Sequence, residues 1–175
     1  MGSPGGGDVG EVARRAAGGA LTGALATLPM SAVMLVAQRR GAMGSQPPER
    51  VTEEALGRAG VDDASEGSQN VAASVAHLAF GAAGGSAFAL MRHALGRQGV
   101  DLPGPAAVQG SLFGLAVWAL SYQGWIPALG ILPPADRDRR DRQRSMVAAH
   151  LVYGGALGAL EAEAERRCWR SDDAG

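Results

Sequence analysis

Polar and apolar positions along this chain fall into blocks instead of a three-to-four-residue rhythm. Residues 16–38, 70–91, 102–135 and 145–160 contain no Asp, Glu, Lys or Arg, so all 33 charged residues crowd into fewer than half of the 175 positions. A helix resting on a water-soluble core carries charge on its outer face, whereas a helix apolar all round is deeply buried or faces lipid. A domain of this size has too much surface for its volume to bury four helices on every side. Lipid is therefore the expected surrounding. At the helical rise the first two blocks reach about 33–35 Å, against a bilayer core of about 30 Å. The third exceeds that span and the fourth falls a little short. The mean hydropathy of +0.01 blends these blocks with polar connections and a Gly-rich start, and does not weigh against them.

The blocks predict an all-α fold, a four-helix transmembrane bundle with helices over about residues 16–38, 70–93, 105–122 and 145–163. Residues 1–15 read as a disordered Gly-rich N-terminus ahead of a membrane domain at 16–165, and 166–175 as a polar tail. Pro29 lies inside the first helix, where it removes one backbone bond; membrane helices tolerate this when neighbours satisfy the freed carbonyl. The polar connection 39–69 holds a short surface helix after Pro48 that stops at Gly60. Residues 123–135, "QGWIPALGILPPA", contain too many Gly and Pro for one regular helix. Their Trp125 suits a headgroup boundary, and the segment reads as interfacial or partly re-entrant. "DRDRRDRQR" follows as a solvated collar, and "EAEAERR" carries the last helix out into water.

Two phrases disclose an internal repeat. "AHLAFGAAGG" at 76–85 and "AHLVYGGALG" at 149–158 share Ala, His and Leu and two of their glycines, with Phe80 answered by Tyr153. "GALTGALA" in the first helix resembles "GSLFGLAV" in the third. The chain thus reads as two related helical hairpins. Each hairpin crosses twice, so both copies point the same way, as a parallel repeat about the membrane normal. Gly19 and Gly23, Gly81 and Gly85, Gly110 and Gly114, and Gly154 and Gly158 place one G-x-x-x-G in each helix. Helices in lipid associate through close packing, which small residues four apart permit. These glycines are the expected packing sites, within the bundle and between copies in a homo-oligomer.

The repeat sets His77 and His150 at equal depth, about 10 Å from one interface. Each His shares a face with the aromatic three residues on and the glycines four and eight residues on. That face is expected to point inward, because an imidazole in hydrocarbon lacks a partner. Helices two and four should then bring the two rings within about 8–10 Å, drawn together by Gly81, Gly85, Gly154 and Gly158. Three readings of the pair stay open: a hydrogen bond that only joins helices, a proton-relay or transport site, or two axial ligands to a haem iron. Otherwise no cofactor is expected. Ser31, Ser74, Ser86 and Ser111 have no Asp/His partner at a catalytic spacing, and serines in membrane helices bond their own backbone. Glu161, Glu163 and Glu165 precede Arg166 and Arg167 and read as a solvated helix end instead of a metal edge. "GGALTG" lacks the Lys-Ser/Thr ending of a phosphate loop.

A formal charge of −1 gives no reason to expect nucleic acid. The single Cys168 excludes an internal disulfide and a cysteine metal cluster. The first residues lack the apolar core and cleavage site of a signal peptide, so the first apolar block is expected to stay as an anchor. Seven arginines flank one side of the bundle and nine the other, too even a split to set its orientation.

"AHLAFGAAGG", "GSLFGLAVWALSYQGWIPALGILPPA" and "AHLVYGGALGALEAEAERR" together resemble the YagU-like bacterial inner-membrane proteins. The likeness covers about residues 70–167 and departs in the connection between helices one and two. It implies a multi-pass place in the bacterial inner membrane and a helical fold. No biochemical activity is attached to that family, so the resemblance carries no reaction. The chain is expected to be a non-enzymatic membrane component, structural or stress-related, with a small transporter subunit as the alternative.

Overall fold

A computed structural model describes residues 6–43, 65–130 and 138–172, together with residues 52 and 57. Four long helices make up the fold: α1 (Gly6–Arg39), α2 (Glu66–Arg97), α3 (Ala106–Leu120) and α4 (Arg140–Asp172). No strand occurs among the described residues. After α3 the chain makes a wide π-helical turn at Ser121–Trp125 and a short helical turn at Ile126–Ala128.

The helix ends follow local chemistry. Asp8 lies in the first turn of α1 and Arg39 in its last, each complementing the helix dipole. Glu11 and Arg15 pair at 3.0 Å one turn apart. α2 begins at Ser65, whose hydroxyl accepts from the Ser68 N–H at 3.3 Å. α1 and α2 stop in the same way: Gly41 and Gly99 take positive φ, and the next N–H returns to Ala37 O and Leu95 O, each at 3.0 Å. The Gln109 amide donates to Leu102 O and Gly104 O, both at 2.9 Å, tying the turn before α3 to its first residues.

α1, α2 and α4 run past their expected bounds for one reason. Charge-free blocks mark apolar middles, while helical ends bear charge because they reach polar surroundings. α1 is already helical at Gly6, so residues 6–15 are not a disordered leader; the Asp8–Arg97 ion pair fixes this end against α2. α4 starts inside the charged collar, at Arg140, and continues through most of the expected tail to Asp172. α3 ends at Leu120, two residues early, where the π-turn begins. Residues 123–130 of the expected interfacial segment form that turn and its short helical continuation. Residues 131–135 and the surface helix expected after Pro48 lie outside the described residues, apart from Thr52 and Gly57. α1 passes through Pro29 as one helix.

α1 packs along α2, and α3 along α4, as two hairpins; α1 also lies along α4, while α2 and α3 barely touch. The order around the bundle is α2, α1, α4, α3, with the fourth side open. Each hairpin has a glycine seam. A Cβ at Gly23 would stand 2.2 Å from Gly81 O, and one at Gly85 2.0 Å from Gly19 O. In the other hairpin a Cβ at Gly110 would stand 2.0 Å from Gly154 O, and one at Gly158 2.0 Å from Ala106 O. Gly114 faces His150 O in the same way, at 2.2 Å. The glycines of α2 and α4 thus meet α1 and α3, not each other as the sequence predicts. A small-residue face admits one close neighbour, and each is taken by its hairpin partner. The faces on which the sequence predicts a contact between copies are filled by the chain itself.

α1 and α2 are long and apolar enough to cross a membrane. Their outward residues fit that setting: Leu21, Leu28, Val71 and Val75 are each more than half exposed, at 58–65%.

Candidate functional site

The open side of the bundle leads into an apolar cavity of about 470 Å³. Its floor is the α1–α4 joint, with Thr27, Met30 and Met34 from α1 and Met146, His150 and Tyr153 from α4. One wall is the α2 stripe Ala76, Phe80, Ala83 and Ala87, which recurs at helical spacing and is exposed. The other wall is Val117 with the π-turn residues Ser121, Tyr122 and Trp125. His77 lines the cavity from α2.

Two aromatic pairs span the gap between α2 and α3. Phe88 and Phe113 meet with ring centroids 5.1 Å apart, and Phe80 and Trp125 at 6.3 Å. Each pair puts two rings where a glycine seam would put backbone, so the helices stay apart. Ala83, Ala87 and Val117 lie between the pairs, where small side chains leave a window. The π-turn presents Trp125 at its edge, in keeping with the frequency of such bulges at functional positions. Tyr122 holds the turn to the start of α4 by donating to Asp138, which also pairs with Arg142 at 3.6 Å.

The repeat is asymmetric in use. Tyr153 is buried and its hydroxyl donates to Gly81 O at 2.8 Å, joining α4 to α2 across the floor; its counterpart Phe80 is exposed at the mouth. His150 is buried, with Nδ1 2.8 Å from Met146 O, whereas His77 is half-buried and its Nε2 has no hydrogen-bond partner among the described residues. A carbonyl oxygen only accepts, so Nδ1 of His150 carries the proton and Nε2 of the neutral ring keeps its lone pair. The two histidines therefore share one cavity, although α2 and α4 lie diagonally across the bundle and not side by side.

Polar satisfaction elsewhere in the cavity is nearly complete. Thr27 donates to Gly23 O at 2.9 Å, and the hydroxyls of Tyr122 and Tyr153 are spent on Asp138 and Gly81. His77, His150 and Ser121 remain to meet a guest. No Asp, Glu, Lys or Arg lines the cavity among the described residues.

At the end of the bundle that holds Asp8 and Asp172, Arg92 pairs with Glu165 at 3.3 Å and its guanidinium lies 5.8 Å from the Phe88 ring centre. Glu161, expected as solvated, is buried and accepts from Thr22 of α1. Glu163 and Glu165 fit the solvated reading, with side chains 35% and 43% exposed; Arg166 and Arg167 reach Glu163 at 2.8 Å each, and their hydrogen bonds hold its carboxyl down at about 2. Sequence patterning misses the window, because the spacing of Ala76, Phe80, Ala83 and Ala87 is also that of a buried helix face. No protein-family model matches the chain, nor does any curated protein or solved structure.

Proposed function

We propose that this chain is a multi-pass protein of the bacterial inner membrane that crosses with all four helices and holds a small lipophilic molecule in its two-histidine cavity. It acts by binding, without making or breaking bonds. The observation that carries the reading is the lateral window: an apolar cavity, within the roughly 300–1,000 Å³ range of small-molecule sites, opens between α2 and α3 among exposed apolar side chains. In lipid that opening faces the acyl chains, so a guest enters without crossing water.

The outward residues of α3 support a crossing by that helix too, with Leu112 at 64% and Leu120 at 72% exposed. α3 itself covers about 22 Å by the helical rise, and the kinked turn at Gly124 with the short helical turn Ile126–Ala128 would supply the rest of the crossing. The likeness to YagU-like proteins adds support for the location.

The chain should stay in the membrane pellet through a carbonate wash. With its other two tryptophans replaced by Phe, Trp125 emission should be quenched by brominated phospholipid. Release as a folded aqueous monomer overturns the membrane assignment, and a Trp125 that lipid does not quench overturns lateral access. A bis-histidine haem site is the competing use of the same two side chains, both of which face one cavity. A Soret band in the purified protein, lost in the His77→Ala, His150→Ala double variant, would replace the present reading.

A further inference from the structure

From the hydrogen-bond state of the cavity we infer the chemical class of its guest: a neutral, lipid-soluble aromatic molecule bearing a hydroxyl group, whose O–H donates to Nε2 of His150. This rests on the proposed reading of the cavity as a ligand site. Three observations narrow the class.

The first is charge. No Arg or Lys lines the cavity among the described residues to hold an acid, and no carboxylate lines it to hold a base or an imidazolium. A charged guest would therefore be desolvated without a partner, at a cost that normally excludes it.

The second is polarity of the contact. Met146 O fixes the Nδ1–H tautomer of His150, so the nitrogen left for a guest is an acceptor. At that nitrogen a guest with only carbonyl or ether oxygens would set lone pair against lone pair, whereas a hydroxyl completes the bond. The hydroxyl protons of Thr27, Tyr122 and Tyr153 are already directed to protein oxygens, which leaves Ser121 and His77 to meet any second polar atom of the guest.

The third is shape. The mouth is the tilted Phe80–Trp125 pair, and Tyr122 and Tyr153 lie further in, so a ring finds edges and faces at each level. Offset and tilted ring contacts favour an aromatic guest beyond its buried area.

The test compares two probes that differ only at the donor, 4-octylphenol and its methyl ether 4-octylanisole, titrated against Trp125 emission of the full chain in lipid nanodiscs. Dissociation constants are expressed as mole fraction in lipid, so that partitioning cancels. The phenol should bind about three- to tenfold more tightly, the value of one neutral hydrogen bond. His150→Leu should bring the two constants together while leaving ether binding in place, and Ala83→Trp, which fills the window, should abolish saturable binding of both. Equal constants in the natural chain overturn the inferred donor and leave the cavity reading standing; that comparison needs no variant to fold. Saturable binding of neither probe, or binding that survives Ala83→Trp, overturns the cavity reading itself.

Discussion

Tyr153 of α4 donates a 2.8 Å hydrogen bond to the main-chain oxygen of Gly81 in α2, although the two helices sit diagonally and belong to different copies of the repeat. The bond spans the cavity floor and ties the two hairpins together beside the α1–α4 joint. Tyr153→Phe keeps the ring and removes only the donor. It should lower stability in detergent by about 0.5–1.5 kcal/mol, read from a reversible denaturant titration. A change within error would mean that the contact contributes nothing net.

Gly18 and Gly19 are neighbours with opposite prospects. A Cβ on Gly18 meets nothing within 4 Å, whereas one on Gly19 would stand 2.5 Å from Gly85 O and 2.7 Å from Ala89 Cβ. Gly19→Ala should therefore push α1 off α2 and cost about 1–3 kcal/mol, as overpacked sites do. Gly18→Ala should be neutral or stabilising by up to about 1 kcal/mol through helix propensity. Thermal unfolding of the two variants side by side decides it, and equal loss in both would discard the seam.

Glu161 is buried and accepts from Thr22, whose single proton has Gly18 O and Gly19 O at 3.2 and 3.1 Å as its alternatives. Thr22→Val removes the donor and leaves a buried carboxyl oxygen unsatisfied, at a cost of about 1–3 kcal/mol. Glu161→Gln keeps a side-chain oxygen for Thr22 and should cost less. The ranking, measured by unfolding in the same detergent, is the expectation; the reverse order would show that Glu161 works through its charge.

Acid should spare the end of α4. Hydrogen bonds from Arg167 and Arg166 hold the Glu163 carboxyl at about 2, below its ordinary value of 4.5. A carboxyl depressed on folding contributes stability that is fully present above its unfolded value and is lost as pH falls through the folded one. The contribution is therefore present at pH 5 and fades between about 4.5 and 2. Because the group is open to solvent, salt should raise its titration midpoint. A carboxyl-carbon NMR titration reads this, and a midpoint near 4.5 at low salt would remove the clamp.

Much of the bundle is legible in the sequence because the middles of apolar helices exclude charge and close helix pairs need small residues. The blocks around Thr22, Phe88 and Leu157 thus announce helices, and the eight glycines announce seams. The ends of α1 and α4 are hidden because Asp8, Glu11 and Arg140 are compatible with loop and helix alike. The pairing is hidden too, since G-x-x-x-G states that a neighbour comes close and not which one. Placing His77 and His150 on inward faces follows from the cost of an imidazole in hydrocarbon. The different fates of Phe80 and Tyr153 do not, because they depend on which side of the bundle stays open, and a repeat implies that both sides are alike.

The two glycine seams set backbone against backbone, with no long side chains between helices to slide or repack. Each hairpin is therefore a stiff leaf, and the α1–α4 joint, where larger core side chains such as Met34 and Leu157 pack, is the spine that joins the leaves. Any widening of the cavity has to come from rolling at that spine, with Phe88–Phe113 and Phe80–Trp125 acting as stops that limit how far the leaves can shut.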